Sequence, residues 1–257
     1  MQGGTLTLTA LSGIPMVEPG DDLAGILEQG LKEAGITLQD QDVLVIAQKI
    51  VSKAEGRYVR LADVTPSAQA IELAQRIGKD PRLVEVILSE SKEVVACRAG
   101  GALIVEHRLG YVMANAGVDQ SNIDHAPGEE RALLLPVDPD GACAAIRSRL
   151  GQASGAEIGV AINDSFGRPW RNGVVGVALG AAGLPALQNM IGAPDLYGRA
   201  MRVTEIAVAD EIAAAASLVM GQADEGKPVI HIRGLKWSAP ECSATALLRS
   251  KQRDMFR

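Results

Sequence analysis

The sequence predicts a mixed α/β fold, and three observations carry that prediction. Short β-branched runs alternate with amphipathic, alanine-rich ones along the chain. At 257 residues it can bury a sizeable core. Its 47% hydrophobic and 22% charged residues are an ordinary globular balance, with no repeat, low-complexity tract or long linker. The order of strands in the sheet is left open.

The elements follow in order. "TLTLTAL" (5–11) alternates with a period of two and predicts a strand. "DDLAGILEQGLKEAG" (21–35) predicts a helix: Asp21 or Asp22 can cap it, Leu23, Ile26, Leu27 and Leu31 share a face, and Gly35 suits its C-terminal stop. "DVLVIAQKIVSK" (42–53) predicts a buried strand running into a turn. "PSAQAIELAQRIG" (66–78) and "PRLVEVILSESKEVV" (81–95) predict helices. "LGYVMANAGVDQSN" (109–122) predicts a strand ending in a polar loop, and "DHAPGEER" (124–131) an exposed loop. "DPDGACAAIRSRLG" (138–151) predicts a helix opened by an Asx-Pro turn. "EIGVAIND" (157–164) and "KPVIHIRG" (227–234) predict strands, and "ADEIAAAASLVMG" (209–221) a helix. Gly173, Gly176, Gly180 and Gly183 recur at a spacing that suits close backbone packing more readily than a ligand.

Composition narrows the function. A net charge of -6 and a pI near 5.2 give no reason to expect nucleic acid, although a local basic pocket suffices for a phosphate ligand. The N-terminus lacks the pattern of a signal peptide, and no apolar run is long enough to cross a bilayer. Three widely spaced cysteines (Cys97, Cys143, Cys242) do not make a disulfide framework, so a cytoplasmic protein without membrane or nucleic-acid partners is expected. There is no G-x-x-x-x-G-K-[ST] loop, no G-x-G-x-x-G and no G-x-S-x-G elbow, and His107, His125 and His231 form no metal-spaced pair.

What remains is oxygen and positive charge at strand ends. The stretch "INDSFGRPWRNGVVG" (162–176) holds one of the two tryptophans and supplies Asp164 and Ser165; "NAGVDQSN" supplies Asp119 and Asn122. Hard oxygen ligands of this kind suit Mg²⁺ or Mn²⁺, which bind through one or two carboxylates plus substrate phosphates. Lys53, Arg57, Arg168 and Arg171 could neutralise those phosphates. Asx-turns and a solvated basic face would account for the same residues equally well.

Several segments in order give the chain a wider resemblance: "SGIPMVEPGDDL" (12–23), "DVLVIAQKIVSKAEGR" (42–57), "NAGVDQSN" (115–122), "INDSFGRPWRNGVVGVALGAAG" (162–183), "DLYGR" (195–199) and "VADEIAAAASLVMGQ" (208–222). Together they resemble the coenzyme F420-0:γ-glutamyl ligase family, F420 being a deazaflavin coenzyme. The resemblance implies GTP-dependent ligation of L-glutamate to F420-0 through an acyl phosphate, with a second γ-linked glutamate as a further possibility. It also implies two divalent ions (Mg²⁺ or Mn²⁺), with K⁺ a further candidate. The implied fold is an unusual mixed α/β arrangement forming an intertwined homodimer, with residues 1–257 as one catalytic unit, in one or two lobes, lacking the C-terminal nitroreductase-like domain of some relatives.

By the same resemblance, Asp119 and Asp164 match metal carboxylates, with Ser165 where a threonine hydroxyl is usual and Gln222 a ligand of the second metal. Asp119, Asp164 and Lys53 are the implied catalytic set. Ile14, Pro15, Met16 and Val17 match the N-terminal nucleotide segment, Lys53 the phosphate-facing lysine, and Asn122 a nucleotide contact. The loop Met220, Gly221, Gln222, Ala223, Asp224, Glu225, Gly226 and Lys227 matches a further nucleotide segment, and Gln48 and Lys49 fall in another. Gln48 stands where a serine or threonine is usual, which opens the choice of nucleotide. Arg168 and Arg171 lie in a "GRxxR" run assigned to phosphate or substrate. Two alternatives stay open: the same ligation on a variant deazaflavin, pterin or furan cofactor, and a nucleotide- or metal-binding protein without turnover.

Overall fold

The computed structural model describes residues 4–125 and 129–254. In chain order these form β1 (Thr7–Ala10), α1 (Leu23–Glu33), β2 (Val43–Ala47), α2 (Gln48–Ala54), β3 (Tyr58–Arg60), α3 (Ala68–Ile77), α4 (Pro81–Ser89), β4 (Ser91–Cys97), β5 (Leu103–His107), β6 (Val112–Ala114), β7 (Arg131–Leu133), α5 (Pro139–Ser154), β8 (Gly159–Arg168), β9 (Arg171–Ala182), β10 (Gln188–Asn189), β11 (Glu205–Ile206), α6 (Val208–Met220) and β12 (Val229–Arg233). The architecture is mixed α and β, as the alternation of the sequence predicts.

The largest sheet runs β1-β12-β2-β8-β9. Only β2 and β8 pair in parallel there, with Val43 opposite Gly159 and Ala47 opposite Asn163. Side chains alternate across the strands, so the sheet has two apolar faces. Leu44, Ile46, Val160 and Ile162 join the helices α1, α2 and α5 in one core cluster. Val43, Val45 and Ala161 face the other way and pack with α6, whose Ala209, Ile212, Ala213 and Ala216 are buried. The alanine-rich helix is therefore a core helix.

The helix ends follow the capping residues. Asp22 accepts from Gly25 N–H at the start of α1, Ser67 from Ala70 at α3, and Asp138 from Gly141 at α5. Close packing explains three of the four recurring glycines. A Cβ on Gly176 would meet the Ala213 carbonyl oxygen at 2.3 Å, one on Gly180 the Pro139 carbonyl oxygen at 2.3 Å, and one on Gly183 the Ile158 carbonyl oxygen at 2.3 Å. Gly173 instead sits at φ +85 with open space beside it, so its role is conformational.

Three expectations need correction. The segment after β2 is not a turn: Gln48–Ala54 is helical, because burying Ile50 and Val51 on one side of a helix outweighs their β-branched preference. The helix expected over 81–95 stops at Ser89, where the Ser91 hydroxyl donates to the Ile87 carbonyl. The β-branched Val94 and Val95 then continue in β4. The strand expected to end at Asp164 runs on through Ser165 to Arg168, because β9 goes on pairing with β8 well past the last residue shared with β2. Of the loop expected at 124–131, residues 126–128 lie outside the described residues.

Residues 58–134 build a second packing unit between α2 and α5. It contains the antiparallel sheet β4-β5-β6, the ribbon β3-β7 and the helices α3 and α4, with a cluster that includes Leu61, Leu73, Ile87, Leu103 and Leu134. Two polar contacts fix it, one to the main sheet and one to the segments at Arg57 and Leu135 that flank it. The Tyr111 hydroxyl donates to the Leu179 carbonyl, which lies opposite the register shift between Ile162 and Asn163. Glu90, buried at the end of α4, accepts from Arg57 Nη2 at 3.1 Å and from Arg108. Arg57 in turn donates from Nε to the Leu135 carbonyl at 3.0 Å. The imidazole of His107 accepts from Leu109 N–H at Nδ1, so its proton sits on Nε2, facing Glu90 at 3.5 Å.

Burial opposes ionisation of Glu90, but the His107 and Arg108 hydrogen bonds and the Arg108 and Arg57 charges win, holding its carboxyl at about 2. A carboxyl depressed in the folded state stabilises above its unfolded pKa, and that contribution is lost as pH falls toward the folded value. Glu90→Gln is therefore expected to cost about 2–3 kcal/mol at pH 7, in denaturant titrations, with the penalty shrinking between roughly pH 4.5 and 2. A penalty of the same size at pH 2.5 would show that charge is not its cause.

Candidate functional site

The parallel pairing of β2 and β8 sets the carboxyl end of β2 beside the middle of the longer β8. Ala47 lies opposite Asn163, so Gln48 and Lys49, the first residues of α2, sit next to Asp164. This is where open α/β sheets hold ligands, at strand carboxyl ends and a helix N-terminus.

The Asp164 carboxyl is raised from 3.8 to about 6. Burial is the main cause and the nearby Asp119 charge adds to it; the Ser165 N–H, the Lys49 charge and a hydrogen bond from the Gln48 side chain act in the opposite sense. Gln48 is itself buried, and its Oε1 accepts from the buried Ser52 hydroxyl at 2.9 Å. Asp119 is brought in by the loop after β6. Lys49 Nζ donates to Asp119 Oδ2 at 2.8 Å, to the Ser121 carbonyl at 3.0 Å and to the Ser121 hydroxyl at 2.8 Å. Ser121 also donates its N–H and its hydroxyl to the Asp119 carboxylate. Burial would raise the Asp119 carboxyl, yet Lys49 and these Ser121 bonds bring it below the usual carboxylate range. The Asx-turn expected as the rival explanation of Asp119 is thus present, and the Lys49 contact adds to it.

Lys53 lies one helical turn beyond Lys49 and is buried. It makes no hydrogen bond or ion pair with a described side chain. Burial pushes its ammonium below the usual lysine range, the like charge of Lys49 adds to this, and Glu18 and Asp124 oppose it. The segment Ile14–Val17 runs beside this helix. Val17 is buried against Ile50 and Val51, Ile14 fills the space beside Gly30, and Pro15 and Met16 are exposed. Gly20 N–H donates to the Ala54 carbonyl at 2.9 Å and ties the segment to the end of α2.

The loop Met220–Lys227 closes the opposite side. Ser165 donates its hydroxyl to Gln222 Oε1 at 2.7 Å, and Asn122 Nδ2 donates to the Ala223 carbonyl at 3.0 Å. Gly221 turns the chain at φ 77, and Glu225 accepts from Ala223 N–H at 2.8 Å. Asp224, Gly226 and Lys227 are exposed beside them. Successive residues of β8 face opposite ways, so Asp164 points toward Gln48 and the 115–122 loop while Ser165 points toward the loop after α6. The four oxygen donors expected at a metal site thus form two pairs that flank the end of β8.

Arg168 and Arg171 pair across the exposed tip of the β8–β9 hairpin. Four residues along the strand from Asp164 is about 13 Å at a strand's rise, so this chain does not bring them to the carboxylates. Two residues of the site were missed from the sequence. Ser121 carried the Asx-turn signal of "DQSN". Ser52 carried none, since its role depends on the helix the sequence did not predict.

Among the described residues no group of three or more His, Cys, Asp and Glu side chains could hold a metal ion. The donors here are of another kind: two carboxylates, a hydroxyl and an amide oxygen. That hard, all-oxygen set with two acids close enough to repel each other fits a Mg²⁺-like ion, which keeps waters and phosphate oxygens as its other ligands. No helix among the described residues is long and apolar enough to cross a membrane.

Comparison with known proteins bears on the same residues. The sequence pattern of the family described as F420-0:Gamma-glutamyl ligase matches residues 13–234. The chain is 48% identical over 255 residues to the coenzyme F420:L-glutamate ligase of Methanothermobacter thermautotrophicus, covering 98% of this chain and 99% of the relative. It is 47% identical over 264 residues to the enzyme of that name from Methanopyrus kandleri, covering 99% and 100%. With the Archaeoglobus fulgidus protein of the same name it shares 42% over 248 residues, covering 96% and 94%. The chain belongs to the F420-0:gamma-glutamyl ligase family.

Proposed function

We propose that this protein ligates L-glutamate to coenzyme F420-0 at the expense of GTP, in the cytoplasm, with residues 1–257 acting as one catalytic unit. The observation that carries the proposal is the convergence of Asp119, Asp164, Lys49 and Lys53 where β2 ends beside β8. It occurs in a chain nearly half identical, end to end, to relatives named coenzyme F420:L-glutamate ligase.

The reaction has two steps. The free carboxylate of F420-0 attacks the γ-phosphorus of GTP, forming an acyl phosphate and releasing GDP. The glutamate amine then attacks the acyl carbon; a C–N bond forms, the amine gives up a proton, and inorganic phosphate leaves with the C–O electrons. The product can be extended in the same way by a second, γ-linked glutamate. Asp119, Asp164, Ser165 and Gln222 would hold two divalent ions, Mg²⁺ or Mn²⁺, with K⁺ a further candidate; such ions neutralise charge on phosphates during transfer. The buried Lys53 faces the phosphates and binds them as a point charge where water competes poorly. Ile14–Val17 and Met220–Lys227 hold the nucleotide between them, with Asn122 bracing the second loop. Bringing the acyl phosphate and the amine together in one cleft supplies much of the remaining acceleration.

The chain would act as a homodimer. Trp170, Val174, Ile191, Leu196, Tyr197 and Val203 are large apolar side chains left exposed on the hairpin and on the arm that follows it. A monomer seldom leaves that much apolar surface in water.

Activity, metal-affinity, stability and light-scattering measurements test this reading. Purified protein given F420-0, L-glutamate, GTP and Mn²⁺ should yield a product heavier by one or two glutamyl units, read by mass spectrometry; nucleotide binding with no such product would move the proposal to another acceptor. Asp164→Asn should abolish turnover, and in wild-type protein the affinity for Mn²⁺ should rise with pH through about 6, as the metal-free carboxyl ionises. A carboxyl raised by folding stabilises only while protonated, and that contribution is lost as pH climbs through its folded value. In chelator, Asp164→Asn should therefore be roughly 1–2 kcal/mol more stable than wild type at pH 7.5 and no more stable at pH 4, a range discounted for partial exposure. Light scattering should give a dimer mass; a monomer at micromolar concentration would rule the homodimer out.

A further inference from the structure

The first two residues of α2 each hold one of the two acids, by different means. Lys49 takes Asp119 through a charged contact at 2.8 Å, with its remaining donors committed to Ser121. Gln48 takes Asp164 with a neutral amide, and the two faces of that amide are not equivalent. Its oxygen accepts the Ser52 hydroxyl at 2.9 Å, one turn further along the helix. Ser52 is fully buried and Gln48 nearly so, which keeps water from competing for either group. A primary amide whose oxygen is engaged on one side must present its NH₂ on the other, and the strand register sets Asp164, with which the Gln48 side chain hydrogen-bonds, beside it. An amide bound in reverse would set its oxygen against the carboxylate and leave the Ser52 hydroxyl without an acceptor, two buried mismatches at once.

We infer that Gln48 is a positioning residue, locked in one amide orientation by Ser52, which holds the Asp164 carboxylate in place for a divalent cation. Resting on the metal-dependent reading proposed above, this gives Gln48 a role other than nucleotide contact. It also explains why a residue longer than serine or threonine fits here: the amide spans from the helix to the strand and still leaves an oxygen for Ser52. A carboxylate ligand held by a hydrogen-bond donor presents its other oxygen in a fixed direction. Removing such an outer partner typically weakens metal affinity about 10- to 100-fold.

The test is Mn²⁺ binding by calorimetry with GDP present, on the full chain, for wild type, Gln48→Met, Ser52→Ala and Asp164→Asn. Gln48→Met keeps the length of the side chain and removes its hydrogen bonds. Ser52→Ala frees the amide to turn over with little change in volume, and it serves should Gln48→Met fold poorly. The inference expects Gln48→Met to weaken Mn²⁺ binding about 10-fold or more and Ser52→Ala by a smaller factor. GDP affinity in chelator should not change, while Gln48→Met should melt somewhat below wild type because the buried Ser52 hydroxyl loses its acceptor. Wild-type Mn²⁺ affinity in both variants, with binding lost in Asp164→Asn, would overturn the positioning role and leave the metal site standing. Weaker GDP binding in chelator with unchanged Mn²⁺ affinity would overturn it in favour of direct nucleotide contact. Wild type or Asp164→Asn departing from the expected pattern, the first by not binding or the second by binding normally, would overturn the metal reading and the inference with it.

Discussion

The parallel pairing of Val43–Ala47 with Gly159–Asn163 is the constraint on which the rest of the site depends. Two parallel strands run toward the same edge of a sheet, so whatever follows the shorter one is delivered beside the later residues of the longer one. Here a helix follows β2 and brings Gln48, Lys49 and Lys53, while β8 continues into a hairpin and brings Asp164 and Ser165. An antiparallel arrangement of the same two strands would put these groups at opposite ends of the sheet, roughly 15 Å apart at a strand's rise per residue. Register matters as well, since a slip of one residue would turn Asp164 to the α6 face and Ser165 toward Gln48.

Once that pairing has set the acids together, electrostatics works against the fold. Asp164 loses hydration and feels Asp119, and Gln48 and Lys49 offset only part of the penalty, as its raised carboxyl shows. Asp119 has the better position, with a cation and two Ser121 donors on it. The two carboxylates differ in their need for positive charge, and the less satisfied one has the greater capacity to bind a cation. This asymmetry is what a site for hard cations and phosphates needs, and the folded chain sustains it through the packing of Leu44, Ile46, Val160 and Ile162 behind the polar edge. Buried acids that destabilise their own protein cluster where function requires them.

Much of this was legible in the sequence. The strands Val43–Ala47 and Gly159–Arg168 announce themselves as apolar β-branched runs, and the caps Asp22 and Asp138 mark their helices as the chain's local chemistry demands. The acids at 119 and 164 stood out as oxygen at strand ends. What local pattern could not reveal was partnership. Gln48 and Ser52 are ordinary residues until a helix sets them one turn apart, and that helix is decided by burial of Ile50 and Val51 against residues distant in sequence. Lys49 falls in a nucleotide segment by resemblance, and nothing nearby in the chain points to Asp119 and Ser121 as its partners. Arg168 and Arg171 looked close to Asp164 because sequence separation is short, whereas an extended strand makes every residue between them count in full.

The separation between the two acids is also set from a distance. Asp119 belongs to the 58–134 unit and Asp164 to the main sheet, and the links between them at the site are few and partly exposed: the Lys49 contact and the bond from Asn122 to the Ala223 carbonyl. Partly exposed ion pairs contribute on the order of 1 kcal/mol or less, too little to hold two packing units in register. The buried anchors lie elsewhere, where Tyr111 reaches the Leu179 carbonyl and Glu90 joins Arg57, which itself holds the Leu135 carbonyl. Those contacts cannot shift without leaving charged or polar groups unpaired in the interior, so they fix how the 58–134 unit sits on the sheet. The loop bearing Asp119 then arrives at the end of β8 as a consequence. The weaker contacts at the cleft can therefore exchange partners without loosening the fold.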